Sequence, residues 1–318
     1  MKAILLILVF TLSFSAQASY IDKASKVIGS LNSNFINFDG YKNHYYNLNN
    51  GHKEALIIVT GVAEPAIKYW QLVREFSGSY DVYLWDHIGQ GKSDRLHKKM
   101  GLKKVYIDKF LTYEDSFNNF LKRVIAKYSK TNVISHSMGS HVMLRQLLKN
   151  DSSIDKLVLV TPMVNINKYF IPDFISKFVL KTFYKPTDWA PTQGDTNPDY
   201  TYFTSSKENF ENYMNLLNKK FPDQKTTGVT AGWLKESLKS VAYVLKADFS
   251  KVNTKVLVFT GGKDKIVKSS ASRSFCEKLI NCNNIHYKNG KHQLLLETDD
   301  IRLDLIKQVK LFFKNSNN

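Results

Sequence analysis

Thr131-Asn132-Val133-Ile134-Ser135-His136-Ser137-Met138-Gly139 decides the fold. A β-branched run enters it. The stretch His141-Val142-Met143-Leu144-Arg145-Gln146-Leu147-Leu148 leaves it with helical character. Strand, sharp turn with a serine at its tip, then helix is the layout of a nucleophile elbow. The turn lifts the Ser137 hydroxyl clear of the backbone, and the helix start supplies an N–H and a positive dipole end for a developing oxyanion. The usual pattern is G-x-S-x-G, and Ser135 stands where its first glycine would be. On its own the motif is a weak signal, so the other parts must come from elsewhere in the chain.

The chain has 318 residues, 43% of them hydrophobic, enough for one large α/β domain with a substantial core. Around the elbow, buried strands are expected at Glu54–Thr60, Tyr80–Trp85, Lys156–Thr161, Lys255–Thr260 and Asn284–Tyr287. Helices are expected at Ala66–Phe76, Tyr113–Lys130, Ser269–Leu279 and Asp300–Lys314. A hairpin around Asp39-Gly40 joins Asn34–Phe38 to His44–Leu48. Buried strands alternating with helices imply a mostly parallel sheet covered on both faces. From residue 163 to 247 the pattern changes to prolines and dense aromatics, which marks an insertion acting as a helical cap or lid. The expected division is residues 1–18 as signal peptide, 19–162 with 248–318 as core, and 163–247 as cap.

The leader reading rests on Lys2, the apolar stretch Ala3 to Phe14 and the A-x-A site Ala16-Gln17-Ala18. It predicts export to the periplasm or outside the cell; an uncleaved anchor is the other reading of this segment. An oxidising compartment would let Cys276 and Cys282 pair, the alternative being two free thiols. No His/Cys cluster has metal-ligand spacing, and no cofactor is implied. The net charge is +17. Export, scattered lysines and the lack of an Arg-rich helix argue against nucleic acid. An anionic membrane surface fits better, and a merely solvated lysine-rich surface accounts for the charge equally well.

A serine hydroxyl needs a base, and the base needs an acid to orient it. Of eight histidines, His292 follows the last strand in Asn289-Gly290-Lys291-His292, at the end a base facing the elbow must occupy. Asp264, in Gly261-Gly262-Lys263-Asp264, follows the preceding strand, where glycines allow a sharp turn. By position alone, His292 reads more readily as a surface-loop residue, and Asp264 also reads as a turn or cap residue. The order Ser137…Asp264…His292 at three strand ends makes them a candidate triad. Thr60-Gly61-Val62-Ala63-Glu64 follows the Glu54–Thr60 strand, so the backbone N–H groups of Val62 and Met138 are the candidate oxyanion donors. His136, beside the serine, is expected to point elsewhere.

These segments, with Asp86-His87-Ile88-Gly89-Gln90-Gly91-Lys92-Ser93-Asp94, give a resemblance. The chain resembles the α/β-hydrolase family of lysophospholipases and monoacylglycerol lipases, and within it bacterial lysophospholipases most. The resemblance implies Ser137 as nucleophile, Asp264 as acid, His292 as base, and hydrolysis of carboxylic esters of single-acyl lipids. The Asp86–Asp94 stretch is expected to serve structure, and neither Asp86 nor His87 to be catalytic. The chain departs from the family pattern at Thr60-Gly61, where many relatives have His-Gly, at Ser135, and at Ser140, where a second glycine is common. The cap aromatics, Tyr169, Phe170, Phe174, Phe178, Phe183, Tyr184, Trp189, Tyr200, Tyr202, Phe203, Phe210 and Tyr213, favour long acyl chains. The plainer reading is that most of them form the cap's own core. A short-chain carboxylesterase, an acyltransferase of the same fold and a non-catalytic exported binding protein are the competing functions.

Overall fold

A computed structural model describes residues 19–97, 100–149, 154–167, 173–196 and 198–315. The expected leader, and Tyr169 and Phe170 of the cap, lie outside the described residues. Eight strands form one sheet: β1 (Asn32–Phe38), β2 (Tyr41–Leu48), β3 (Glu54–Val59), β4 (Asp81–Trp85), β6 (Lys130–His136), β7 (Lys156–Val160), β9 (Lys255–Gly261) and β10 (Cys282–Tyr287). Their order is β1-β2-β4-β3-β6-β7-β9-β10. From β4 to β10 every pairing is parallel, and β1 and β2 add an antiparallel edge. Asp39 and Gly40, with φ of 48° and 78°, make the hairpin turn that the sequence predicts.

Side chains alternate between two apolar layers, as the period of a strand requires. Ala55, Ile57 and Val59 of β3 face α3 (Leu111–Ile125) and α4 (Ser137–Leu147), with Phe117, Phe120 and Val142 in that layer. Leu56 and Ile58 face the opposite way, toward α1 (residues 19–29), α2 (Trp70–Phe76) and α9 (Asp299–Lys314). Each fully buried side chain of this kind contributes roughly 1.5–3 kcal/mol. α3 ends at Ile125 rather than Lys130, because Lys130 opens β6 and pairs with Glu54 of β3. This is the α/β-hydrolase fold. Among the described residues, no helix is long and apolar enough to cross a membrane.

Strand order reverses between β3 and β6. In open parallel sheets that is where a crevice opens beyond the carboxyl ends. The 60–65 loop leaves β3 there and the elbow leaves β6 there. Between β7 and β9 lie α5 (Asp173–Phe183), α6 (Lys207–Lys220) and α7 (Ala231–Lys246). This segment is not purely helical, as expected, since its β8 (Gly228–Val229) pairs with β5 (Lys104–Val105) from the loop after β4. Two-residue strands carry no periodicity for a sequence to show. Trp233 and Val241 of α7 join the α3–α4 layer, and Tyr213 and Leu216 of α6 join the opposite one. The segment's own core is small, built on Leu180, Ala231 and Leu238. Phe178 and Phe183 are 63% and 70% exposed rather than packed within it; α5 packs against α7.

Candidate active site

Ser137 sits at φ +50°, in the left-handed region that non-glycine residues avoid. The elbow holds it there. Gly139 explains how: a Cβ at 139 would stand 2.3 Å from the Thr60 carbonyl oxygen and 2.6 Å from that of Val59. Only glycine lets α4 start this close to β3. The departures at 135 and 140 compensate each other, since the Ser135 hydroxyl lies 3.0 Å from that of Ser140 and donates to the Val158 carbonyl at 3.1 Å. Ser135 is 1% exposed, so it is a small, satisfied packing residue.

The three strand ends converge. Ser137 Oγ lies 2.9 Å from His292 Nε2, and His292 Nδ1 lies 2.8 Å from Asp264 Oδ2. The other Asp264 oxygen accepts the N–H groups of Ile266 and Val267 at 2.7 and 3.0 Å, and its side chain is fully buried. The Asp264 side chain is thereby fixed in place. The chain turns at Gly261–Asp264 as expected, the Asp264 N–H reaching the Gly261 carbonyl at 3.4 Å, and the two glycines also allow close approach. A Cβ on Gly261 would meet the Gly290 and Lys291 carbonyl oxygens at 2.6 and 2.7 Å, and one on Gly262 the Lys288 carbonyl oxygen at 2.4 Å. The Lys263 N–H donates to the Gly290 carbonyl at 2.9 Å, stitching the acid loop to the base loop.

Among the described residues no protein acceptor takes the Val62 N–H, although its neighbours Gly61 and Ala63 both donate to side chains. The Met138 N–H belongs to the first turn of α4, where no intrahelical partner exists. The loop carrying Val62 is clamped by Gln90, whose Nε2 donates to the Thr60 hydroxyl and to the Gly61 and Glu64 carbonyls, and whose Oε1 accepts from Ala63 N–H. Asp86 holds the next residues, accepting the Ala66 N–H at 2.7 Å. The Asp86–Asp94 stretch is therefore structural scaffolding for the neighbouring loop. His87 is buried between the Trp85 indole N–H and the Thr60 carbonyl, and burial lowers its pKa to about 3.

Sequence reasoning missed a buried polar cluster behind this site. Glu64 accepts hydrogen bonds from Gly61 N–H at 2.9 Å, Tyr69 Oη at 2.5 Å, Lys68 Nζ at 2.5 Å and the Gln293 side-chain amide, and contacts His136 Nδ1 at 2.9 Å. His136 does point away from Ser137, as expected, but its Nε2 reaches the backbone carbonyl of His292 at 3.2 Å. Thr161 Oγ1 donates to the same carbonyl at 2.8 Å. Burial pushes the Glu64 carboxyl up; His136 and Lys68 outweigh it and hold it well below the usual carboxylate range. Burial lowers the Lys68 pKa against the pull of Glu64. The i,i+4 spacing of Glu64 and Lys68 was the available sequence signal, and it is too common to mark a site.

The structure pairs Cys276 of α8 (Ser269–Cys276) with Cys282 of β10 in a disulfide. It lies at the far edge of the sheet, away from the triad strands' shared crevice.

Comparison with known proteins agrees with this fold. A family model described as serine aminopeptidase, S33 (Hydrolase_4) matches residues 50–299. "Probable lysophospholipase L2" of Haemophilus influenzae is 28% identical over 267 residues, covering 82% of this chain and 83% of that one. Lysophospholipase L2 of Escherichia coli is 24% identical over 289 residues, covering 84% and 82%. Among solved structures, a soluble variant of the Saccharomyces cerevisiae monoglyceride lipase with a substrate analogue superposes with a TM-score of 0.70 at 19% identity, covering 91% of this chain and 95% of that one. The chain is an enzyme of the α/β-hydrolase fold and belongs to the Hydrolase_4 family.

Proposed function

We propose that the protein hydrolyses carboxylic esters of single-acyl lipids, lysophospholipid or monoacylglycerol, through an acyl-Ser137 intermediate. The observation that carries this reading is the Ser137–His292–Asp264 relay at the elbow. His292 Nε2 takes the proton of Ser137 as Oγ attacks the ester carbonyl. The N–H groups of Val62 and Met138 receive the negative charge on its oxygen, each worth about 3–4 kcal/mol at the transition state. His292 then protonates the leaving alcohol. A water, deprotonated by His292, hydrolyses the acyl-enzyme and restores Ser137. The lysophospholipase and monoglyceride lipase relatives support lipid esters as the substrate class.

The test is a panel of lysophospholipids, monoacylglycerols, short-chain esters and aminoacyl amides, assayed with wild type and Ser137→Ala. Lipid-ester turnover that the substitution abolishes is the expected result. Equal activity in the variant, or turnover of aminoacyl amides alone, would overturn it. Preference for short acyl groups would favour a carboxylesterase, and acylated alcohol among the products an acyltransferase.

In this reading residues 163–247 act as the cap, and α5 is its contact with lipid. Its exposed Ile175, Phe178 and Phe183 lie beside exposed Lys181 and Lys185, on a chain of net charge +17, which suits an anionic membrane surface. Co-sedimentation with phosphatidylglycerol vesicles, weakened by Phe178→Ser and absent with phosphatidylcholine, is expected. Export after residue 18 completes the proposal; the Cys276–Cys282 disulfide suits an oxidising compartment. N-terminal sequencing of protein recovered outside the cytoplasm tests it, with Ser19 near the start.

A further inference from the structure

Behind the triad lies a histidine that the mechanism does not use. The partner chemistry of the histidines separates it from the others. His141 faces one acceptor, the Met163 carbonyl, and one hydroxyl, that of Ser240. His87 faces the Thr60 carbonyl on one nitrogen and receives the Trp85 indole N–H on the other. His292 faces the Asp264 carboxylate and the Ser137 hydroxyl. A neutral ring, with one N–H and one lone pair, satisfies each of these sets. His136 differs. Its Nδ1 is 2.9 Å from Glu64 Oε2, and its Nε2 is 3.2 Å from the His292 carbonyl oxygen. Both are acceptors. A neutral ring would leave one nitrogen lone pair facing an oxygen lone pair inside the protein.

We propose that His136 is a positioning residue held as an imidazolium by Glu64, and that in this form it grips the main chain of the base His292. The proposal rests on the reading of Ser137 and His292 as nucleophile and base. Among the described residues, Glu64, Lys68, Tyr69 and His292 are the titratable groups that face the ring. Glu64 bonds it; Lys68 lies across the same carboxylate; the Tyr69 ring stands 6.4 Å away and the His292 ring 5.0 Å away. Burial lowers the His136 pKa; the Glu64 carboxylate opposes this without outweighing it, and His292 and Lys68 add to the fall, so the case for the charge is the pair of acceptors on the ring nitrogens. The second acceptor, the His292 carbonyl, adds a hydrogen bond that only the doubly protonated ring completes alongside the first.

Glu64 is the centre of this device. Through Gly61 N–H it holds the loop that carries Val62, and through His136 and the Gln293 amide it holds the main-chain carbonyl of the base and the residue that follows it. Gly61 is required, since a Cβ there would stand 2.6 Å from Glu64 Oε2 and 2.8 Å from His136 Nδ1. Buried ion pairs seldom add net stability over apolar packing of the same volume. Their retention beside the triad is explained by geometry: one carboxylate sets the separation of the oxyanion donor and the base.

The test is nitrogen NMR of the full-length chain labelled with ¹⁵N-histidine, assigned with His136→Asn. At about pH 8, above the ordinary histidine pKa of about 6.5, one of the eight histidines is expected to carry the doubly protonated signature. That signature should vanish in Glu64→Gln. Alongside, kcat per fluorophosphonate-titrated Ser137 should fall about a hundredfold in Glu64→Gln with KM nearly unchanged, the scale of an ångström-level misplacement. A fold effect alone would lower the number of titrated sites and leave kcat per site intact. If every histidine is neutral at that pH, the proposal is overturned from the wild-type spectrum, whether or not either variant folds. Signature loss with kcat per site preserved overturns the positioning role. The spectrum is independent of turnover, so failure of the esterase reading is a separate outcome.

Discussion

Gly139→Ala is the sharpest probe of how the elbow makes a reactive serine. The added Cβ would lie 2.3 Å from the Thr60 carbonyl oxygen and 2.6 Å from that of Val59. Both obstacles are backbone, so neither can rotate aside. An ordinary carbon–oxygen contact is about 3.3 Å, so the start of α4 must retreat from β3 by roughly 1 Å. The same movement draws the Met138 N–H away from Val62, because Thr60 opens the loop that carries Val62. Overpacking of this kind costs about 1–3 kcal/mol of stability. An ångström in the relative position of catalytic groups costs about a hundredfold in rate. The assay separates the two effects: fluorophosphonate titration counts folded sites, and lipid-ester turnover per titrated site gives kcat. The expected variant melts a few degrees lower and turns over about a hundredfold more slowly per site. Ser140→Ala is the control. It removes the hydrogen bond to Ser135 at a cost of about 1 kcal/mol and should leave kcat per site intact. Wild-type kcat per site in Gly139→Ala would refute the argument that close approach at Thr60 sets the oxyanion geometry.

Asp264→Asn should leave the fold intact and lower kcat by about 10⁴, because the amide favours the wrong His292 tautomer; titration of Ser137 and a lipid-ester assay measure it. Reducing the Cys276–Cys282 bridge, which spans six residues, should cost about 2 kcal/mol by loop-closure entropy, read as a lower urea midpoint in dithiothreitol with unchanged kcat. Acid should destabilise the fold through His87 and His141, whose folded pKa values burial lowers from 6.5 to about 3. A depressed folded pKa means the unfolded chain binds the protons first, so this stability is fully present above pH 6.5 and is lost as pH falls toward 3. The two together cost about 4 kcal/mol by pH 5. Urea melts at pH 8 and pH 5 measure it, and His141→Gln should remove about half of the difference.

The strands and the places of the three candidate residues were legible because both are local. β3, β6 and β9 are dense runs of apolar and β-branched residues, and Ser137, Asp264 and His292 each sit just past such a run. What escaped depends on pairs far apart in sequence. Glu64 meets Gln293 and His136 only because the sheet places β3 beside β6 and the base loop beyond them. Gln90 stood in a motif already read as structural, yet its target, the 60–64 loop, is set by tertiary contact. The tight turn expected at Gly261-Gly262 is present, and the passage of residues 288–291 against the two glycines, which only tertiary contact sets, adds a second need for them. The exposure of Phe178 and Phe183 was not legible for a similar reason: an aromatic's place in a core depends on a partner surface that only the tertiary structure supplies.

The histidines also show why a hydrogen-bond pattern alone does not define a catalytic triad. His44 repeats the relay of His292, with Nδ1 2.7 Å from Asp86 Oδ2 and Nε2 2.9 Å from the Ser33 hydroxyl. Distances alone do not tell the two apart. Their backbones do. Ser33 lies within β1, paired across from Tyr46 of β2, with ordinary strand dihedrals and no helix start behind it. Ser137 is held left-handed at a helix N-terminus. An alkoxide attack at Ser33 would build negative charge with no donors arranged to receive it, and oxyanion stabilisation supplies several kcal/mol of the barrier reduction. Asp86, meanwhile, is committed to the Ala66 and Lys92 N–H groups as well as to His44. A fluorophosphonate probe should therefore label wild type once, at Ser137, and leave Ser137→Ala unlabelled. Labelling of Ser33 in that variant would show that the relay suffices without the elbow, and would leave the strained backbone of Ser137 without a catalytic purpose.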